Sequence, residues 1–229
     1  MKVIRNVLCL HAQSADLKFL NPVRNRMGKL LDNRFRSFEL TNQHSNAEAV
    51  LALRQAKDGF VVIFAHGSGD YLRGGEYRSR LTGENVEIDK FLTRDEVDAF
   101  CGKVVFCLSC DSNGLAEASI SAGAIAFVGF DEVPFDRFDA AGNPIGSRVL
   151  VQHTQELIAD TMKATIERFL TGKSTLNGAV DFLRLWINKH AVAYVRKNTS
   201  VKERREVAAL FMKINAGIRY HGLLDIRFE

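Results

Sequence analysis

Short runs of apolar residues alternate along the chain with segments in which apolar residues recur every three or four positions. The runs Val3–His11, Arg36–Thr41, Phe60–Ala65, Lys103–Leu108 and Ala124–Gly129 predict β-strands. The last three are nearly continuous in apolar residues, which is typical of parallel strands buried on both faces. The pattern therefore predicts a largely parallel central sheet.

Helical periodicity occupies the spaces between these strands and most of the C-terminal third. The predicted helices span Asp16–Asp32, Asn46–Lys57, a short segment from Thr93 to about Gly102 that opens with a capping box, Leu157–Leu170, Ala179–Val195, and a segment that opens at Ser200–Glu203. Gly222–Phe228 is predicted as a final strand. Without repeats or a low-complexity linker, the order of elements indicates one three-layered α/β domain over residues 1–229. Its core strands lie within residues 1–150, and the C-terminal helices and final strand lie in 151–229.

Two connections between these elements are unusual. Tyr71–Ile88 is glycine-rich and polar, and it predicts an exposed hairpin between two central strands. Asp131–Ser147 contains two of the three prolines and follows the last central strand. Long loops beside a central strand often carry function.

Composition and charge narrow the class of protein. With 46% apolar residues, 25% charged residues and a net charge of +4, the 229-residue chain matches an average globular protein. That charge does not require a nucleic-acid partner, and none is expected. Arg5 and Asn6 interrupt any signal-peptide core, and no apolar run reaches the roughly 18 residues of a membrane span. A cytoplasmic protein with reduced cysteines and no membrane partner is therefore expected.

Two strands end in residues that suggest catalysis. His66 follows the strand Phe60–Ala65, and Cys110 follows Lys103–Leu108. If these parallel strands are neighbours, both side chains emerge at the same edge, where an imidazole can take the proton of a thiol. The amides of Gly67 and Cys110 would then face the oxyanion. Taken alone, each residue is more often structural, a loop histidine or a small core cysteine.

Acidic residues are concentrated after Cys110. Between Asp111 and Asp139 the chain has six acidic residues and one basic residue, although its total charge is positive. The cluster predicts either an ordinary solvated loop or a surface that binds a basic substrate group.

The two strand ends resemble the catalytic segments of a known family. Val61–Gly67 and Val104–Ser112 are similar to the histidine and cysteine segments of caspase-like cysteine peptidases (clan CD), most closely their bacterial CHAT-type branch. Caspases carry the histidine about 50 residues before the cysteine, and here the two are 44 positions apart (110 − 66). Gly114–Ala118 and Gly123–Gly129 also resemble that branch, and the similarity covers roughly residues 1–150.

This resemblance implies a caspase-like three-layer sandwich with about six strands, completed by the final strand. It implies a cysteine endopeptidase with Cys110 as nucleophile and His66 as base, acting on protein or peptide substrates. It also implies that Gly129–Glu132 flanks the first specificity pocket, where a buried carboxylate would favour a basic residue before the cleaved bond. The substrate-binding candidates are Asp131, Glu132, Asp111 and Ser109. No metal or organic cofactor is expected. The resemblance to the bacterial CHAT-type branch implies a conditional effector that serves antiviral defence against phage. CHAT-type peptidases often carry a fused regulatory domain that this sequence lacks, so a separate activator protein is expected.

Some features depart from the family or allow other functions. The caspase pentapeptide is absent, so cleavage after aspartate is not implied. Cys107 and Cys110 have the spacing of a redox or zinc motif, but no second pair lies nearby. The alternatives are a catalytically inactive caspase-like interaction module and a receiver-like signalling domain. A receiver-like domain requires carboxylates at the ends of the first and third strands, where this chain has His11 and His66.

Overall fold

The computed structural model describes residues 1–56, 59–78, 85–87, 90–133, 148–197 and 201–229 of the chain. The strands are β1 (Lys2–Ile4), β2 (Val7–Ala12), β3 (Phe35–Leu40), β4 (Phe60–Phe64), β5 (His66–Ser68), β6 (Tyr71–Arg73), β7 (Glu76–Arg78), β8 (Asn85–Glu87), β9 (Lys90–Thr93), β10 (Val104–Leu108), β11 (Ala126–Gly129), β12 (Arg219–Gly222) and β13 (Ile226–Phe228). The α-helices are α1 (Asn21–Leu31), α2 (Gln43–Gln55), α3 (Asn113–Ser121), α4 (Arg148–Leu170), α5 (Leu176–Lys197) and α6 (Val201–Gly217). Short 3-10 helices cover Lys18–Leu20, Asp32–Arg34 and Arg94–Phe100.

The centre of the fold is a six-stranded sheet with the order β12-β11-β10-β4-β2-β3. The five strands from β11 to β3 pair in parallel, and β12 pairs antiparallel with β11 at one edge. The protein is therefore α/β with a mixed sheet, and the prediction of a mostly parallel sheet of about six strands is confirmed.

Helices cover both faces of this sheet. Phe60 on β4 packs edge-to-face on Phe169 of α4. Ala126 is the β11 residue level with Phe60, so the next residue, Phe127, points to the opposite face. There it packs on Phe100 of the 3-10 helix. The helices accordingly form two groups, one on each face of the sheet. One group contains α1, α4, α5 and α6, and the other contains α2, α3 and the 3-10 helix Arg94–Phe100. The burial of β4, β10 and β11 on both sides explains their continuous apolar runs.

The chain after α6 forms two strands instead of the one predicted over Gly222–Phe228. Residues Arg219–Gly222 form β12, the sixth strand of the sheet, and Ile226–Phe228 form β13. Gly222 ends β12 with φ +96°, and a Cβ there would lie 2.4 Å from the Ile125 carbonyl oxygen. The required break thus falls on a glycine. Strand β13 pairs in parallel with β1, away from the main sheet.

Two capping boxes fix helix starts on the same face of the molecule. The predicted box at Thr93 and Glu96 is confirmed, and it opens a 3-10 helix. A second box, between Asn42 and Ser45, starts α2 three residues earlier than its predicted start at Asn46. These bonds satisfy amides that the first helical turn leaves without partners.

A smaller set of strands follows β4. Strands β5, β6 and β9 form a three-stranded antiparallel sheet, and β7 pairs antiparallel with β8. The predicted hairpin is present as this second pair, while its turn, residues 79–84, lies outside the described residues. Residues 134–147 of the predicted loop and the predicted cap Ser200 also lie outside them.

Candidate active site

Adjacent strands bring His66 and Cys110 to one edge of the sheet. Strands β4 and β10 pair in register up to Phe64 and Leu108, and the Ala65 amide continues the ladder by donating to the Leu108 carbonyl at 3.3 Å. His66 and Cys110 each lie two residues beyond this last pair, and both are partly exposed. The structure therefore agrees with the expectation that the strands are neighbours and that both residues follow their carboxyl ends.

Glycines allow the histidine segment and the cysteine segment to touch. A Cβ on Gly67 would lie 2.6 Å from the hydroxyl oxygen of Ser109. A Cβ on Gly114 would lie 2.4 Å from the Cα of Gly69. Real Cβ atoms do not approach this closely, so the two segments pack at a distance that only glycine permits. This role of Gly114 was not predicted from the sequence.

The thiol of Cys110 is hydrogen-bonded to the chain after β11. Its Sγ donates to the Val133 carbonyl oxygen at 2.9 Å. The next residue, Asp111, has a left-handed backbone with φ +53°, and its amide donates to the Asp131 carbonyl at 3.2 Å. The segment Asp131–Val133 thus lies against the nucleophile candidate, and the bond to Val133 requires the proton to remain on sulfur.

The imidazole of His66 contacts a residue that was not predicted from the sequence. Its Nε2 lies 2.9 Å from the hydroxyl oxygen of Ser14, whose side chain is buried. Ser14 follows β2, the other neighbour of β4, so it too lies beyond the carboxyl end of a central strand. Its position after a predicted strand was the only sequence feature that could have identified Ser14. A single loop serine forms no recognisable motif, so this feature was not sufficient.

The candidate oxyanion donors lie on the two contacting segments. Gly67 belongs to β5, opposite Leu72. The amides on either side of Cys110 are engaged, because Ser109 donates to the Cys107 carbonyl at 3.2 Å and Asp111 donates to Asp131. The role of the Gly67 and Cys110 amides as oxyanion donors stays a prediction.

The acidic candidates Asp131 and Glu132 pair with basic residues of the C-terminal elements. Asp131 accepts from Asn113 Nδ2 at 2.5 Å and lies 3.7 Å from Arg219 of β12, and its side chain is 46% exposed. Glu132 pairs with Lys213 of α6 and is also exposed. The expectation of a buried carboxylate at this strand end is therefore wrong. Charge counting along the chain could not reveal partners that come so much later in sequence.

The two remaining substrate-binding candidates differ in exposure. Asp111 is exposed beside Cys110. Ser109 is fully buried against Gly67, and its hydroxyl has no hydrogen-bond partner in the described part of the chain. Ser109 accordingly contributes to the packing of the two segments in this structure.

The other described thiols are poor nucleophile candidates. Burial raises the pKa of Cys9 and of Cys107 to about 12, because a thiolate would lose its hydration inside the sheet. Cys101 is exposed but precedes β10, at the opposite end of that strand. Among the described side chains, no three of His, Cys, Asp and Glu are arranged to hold a metal ion.

Protein-family models and curated proteins give no relative for this chain. None of the helices in the described ranges combines the length and the apolar composition that crossing a bilayer requires.

Proposed function

We propose that the protein is a cysteine endopeptidase of the caspase-like type, with Cys110 as nucleophile and His66 as general base. One observation carries the proposal: both residues lie two positions beyond the last in-register pair of adjacent parallel strands. The contact between Gly69 and Gly114 supports it, since it holds the two segments together. The resemblance of Val61–Gly67 and Val104–Ser112 to the caspase-like segments supplies the reaction class.

The mechanism uses groups already present at this edge. The proton of the Cys110 thiol moves to His66, and the resulting thiolate attacks the carbonyl carbon of the scissile bond. The amides of Gly67 and Cys110 donate to the oxyanion that forms. His66 then gives its proton to the leaving amine. A water molecule, deprotonated by His66, hydrolyses the acyl-enzyme and restores the thiol. This chemistry requires no metal or organic cofactor.

The bond from Cys110 to Val133 supports a conditional enzyme. A thiol that donates to a carbonyl keeps its proton, so the nucleophile is held in its less reactive form. Release of Asp131–Val133 would free the thiol for His66. This arrangement suits a bacterial cytoplasmic effector that a separate activator protein switches on, as in defence against phage.

The substrate preference that belongs to this proposal is a basic residue before the cleaved bond, bound by Asp131. Arg219 now lies beside that carboxylate, so the chain's own guanidinium occupies the position that a substrate guanidinium would take. Binding of an arginine or lysine substrate would exchange one cation for another. Glu132 and Asp111 would add negative charge around the same position.

Cleavage of a mixed peptide library tests the proposed activity. Wild-type protein should cut at a basal rate whenever the Asp131–Val133 segment opens, whereas Cys110→Ala and His66→Ala should each lose at least about 10,000-fold of that rate, because nucleophile and base act as a unit. Cys101→Ala and His153→Ala are matched controls, since each removes an exposed group of the same kind and should keep the wild-type rate. Cleavage by Cys110→Ala at the wild-type rate would refute the proposal.

The cleavage profile tests the specificity separately. Asp131→Ala should reduce cleavage after arginine or lysine about 10- to 100-fold relative to cleavage after other residues, because hydrogen bonds to charged groups contribute about 1.5–3 kcal/mol. Asp98→Ala is the matched control, since Asp98 also pairs with an arginine, Arg54, outside the site. Cleavage mainly after aspartate or large apolar residues, unchanged in Asp131→Ala, would reject Asp131 as the binding residue and leave the Cys110 and His66 pair intact.

A catalytically inactive interaction module is the second candidate. The same bond from Cys110 to the Val133 carbonyl favours it, because the thiol then serves as a packing and hydrogen-bonding group. Alkylation rates separate the two functions: an enzyme should label faster at Cys110 than at the exposed Cys101 once the segment is released, and a module should not.

A further inference from the structure

Ser14 lies where it can orient the candidate catalytic histidine. Strand β2 pairs with β4 up to His11 and Phe64, and Ser14 follows the end of β2 by two residues. Three neighbouring strands, β2, β4 and β10, thus each send one residue to this edge. The Ser14 hydroxyl lies 2.9 Å from His66 Nε2.

The backbone around Ser14 is held on both sides. The amide of Gln13 donates to the Leu40 carbonyl at 3.0 Å, and the Ser14 carbonyl accepts from the Leu17 amide at 3.3 Å. Gly75 closes over Gln13 so tightly that a Cβ would lie 2.5 Å from its carbonyl oxygen. The Ser14 side chain is only 3% exposed. Its hydroxyl is therefore presented to His66 from a fixed position.

We infer that Ser14 is a positioning residue that fixes the orientation and tautomer of His66, so that Nδ1 takes the proton of Cys110. This inference rests on the proposed function. A neutral imidazole has one donor and one acceptor nitrogen. When Nε2–H donates to the Ser14 hydroxyl, Nδ1 carries the lone pair.

Ser14 neither gains nor loses a proton when the thiol proton of Cys110 moves to His66. The S–H bond of Cys110 breaks, its electron pair stays on sulfur, and the proton forms an N–H bond at His66 Nδ1. Throughout this step Nε2–H continues to donate to Ser14, and the bond strengthens when the ring becomes positively charged. The contact with Ser14 therefore orients His66 both when it acts as a base and when it later acts as an acid.

Ser14 is a poor nucleophile despite its contact with a histidine. A serine beside an imidazole is also the arrangement of serine hydrolases. Ser14 is almost completely buried, however, whereas Cys110 is partly exposed, so a peptide carbonyl reaches Cys110 more readily. Activity of the Ser14→Ala and Cys110→Ala variants separates these roles.

Kinetics of Ser14 variants provide the first readout. Ser14→Ala should lower kcat about 10- to 100-fold with little change in KM, since a displaced base slows the chemical step. Ser14→Thr keeps the hydroxyl and should recover most of the rate. Ser119→Ala is the matched control, because Ser119 is an equally buried serine whose hydroxyl donates to the Leu115 carbonyl within α3, away from His66, and it should behave as wild type.

NMR of isotope-labelled histidine in the Cys110→Ala protein provides a second readout that does not depend on activity. His66 should be in the Nε2–H tautomer, and adding Ser14→Ala should shift it toward a mixture, while adding Ser14→Thr should not. A protein that stays inactive both as wild type and after Lys213→Ala and Arg219→Ala loosen the Asp131–Val133 segment would refute the proposed function, and this tautomer measurement would still decide the role of Ser14. The inference is overturned if Ser14→Ala changes neither kcat nor the tautomer. It is also overturned if Cys110→Ala retains activity that Ser14→Ala loses, which would make Ser14 the nucleophile.

Discussion

Gly114 limits, at the scale of single residues, how closely the two candidate catalytic segments approach each other. It lies four residues beyond Cys110, and a Cβ there would lie 2.4 Å from the Cα of Gly69, three residues beyond His66. The packing of the His66 segment on the Cys110 segment therefore depends on a position that carries no chemistry of its own.

Substitution of Gly114 should separate these segments. Gly114→Ala would force backbone to move, which typically costs about 1–3 kcal/mol, and the peptidase rate should fall together with the alkylation rate of Cys110. Gly178→Ala is the matched control: a Cβ there lies 3.3 Å from the Thr175 hydroxyl, and alanine favours the helix α5. Chemical denaturation and alkylation measure the two effects. A stable Gly114→Ala protein with wild-type reactivity would contradict the role of this contact.

The sequence predicted part of the candidate site, and the physical reason differs from residue to residue. His66 and Cys110 follow apolar runs, so their positions at strand ends are visible in the pattern. Ser14 is a single loop serine, and only the pairing of β2 with β4 brings it to His66. The environment of Asp131 depends on Arg219. Arg219 lies beside it because β12 pairs antiparallel with β11, and the local sequence pattern does not predict that pairing.

At the scale of elements, the segment after β11 is fastened to the junction of α6 and β12. The Asp131 amide donates to the Gly217 carbonyl at 3.0 Å, and Asn113 Nδ2 donates to the same oxygen at 2.9 Å. Ion pairs with Lys213 and Arg219 add to these bonds. The end of α6 thereby helps to hold Val133 against Cys110.

Removal of the two basic anchors should release the thiol. A protein with both Lys213→Ala and Arg219→Ala should alkylate at Cys110 several-fold faster than wild type, because Val133 is held less firmly and the thiol is more accessible. Exposed ion pairs contribute only about 0.2–1 kcal/mol each, so overall stability should change little. Arg54→Ala, which breaks an exposed pair with Asp98, is the control. An unchanged alkylation rate would show that backbone bonds to Gly217 alone hold the segment.

Elements were predictable where burial acts on consecutive residues. Strands β4, β10 and β11 are buried on both faces, so their composition alone identifies them. In Gly222–Phe228, apolar and polar residues alternate only from Leu224 onward. The region divides between two sheets because Gly222 breaks the strand and β1 offers a separate partner. Which sheet a strand joins depends on partner strands that are distant in sequence, and the local pattern of apolar residues does not predict those partners.

For the molecule as a whole, a buried histidine makes stability depend on pH. His11 is fully buried, and its Nε2 is paired with the Leu17 carbonyl at 3.1 Å. Its Nδ1 has no hydrogen-bond partner among the described residues, so a proton added there would be buried without an acceptor. Burial is the main cause that lowers the pKa of His11 from 6.5 to about 4.

The folded protein should therefore lose stability in acid because of His11. The unfolded chain binds this proton near pH 6.5 and the folded chain only near pH 4, so stability is complete above about pH 6.5 and falls between the two values. The full loss is about 3 kcal/mol, at 1.36 kcal/mol per pH unit. Urea unfolding at pH 7 and pH 4.5 should show a smaller difference for His11→Phe than for wild type. His44→Phe, at an exposed position, should match wild type, and equal differences in all three proteins would contradict this origin.

The parallel pairing of β1 with β13 also gives the molecule a mechanical property. The Lys2 amide donates to the Asp225 carbonyl at 2.9 Å, and the Glu229 amide donates to the Ile4 carbonyl at 3.0 Å. Because the strands are parallel, the chain enters β1 at one end of the pair and leaves β13 at the other. Tension that draws these two ends apart would load the hydrogen bonds together in shear. In a single-molecule pulling experiment this pair should yield as one event, ahead of the six-stranded sheet that carries His66 and Cys110.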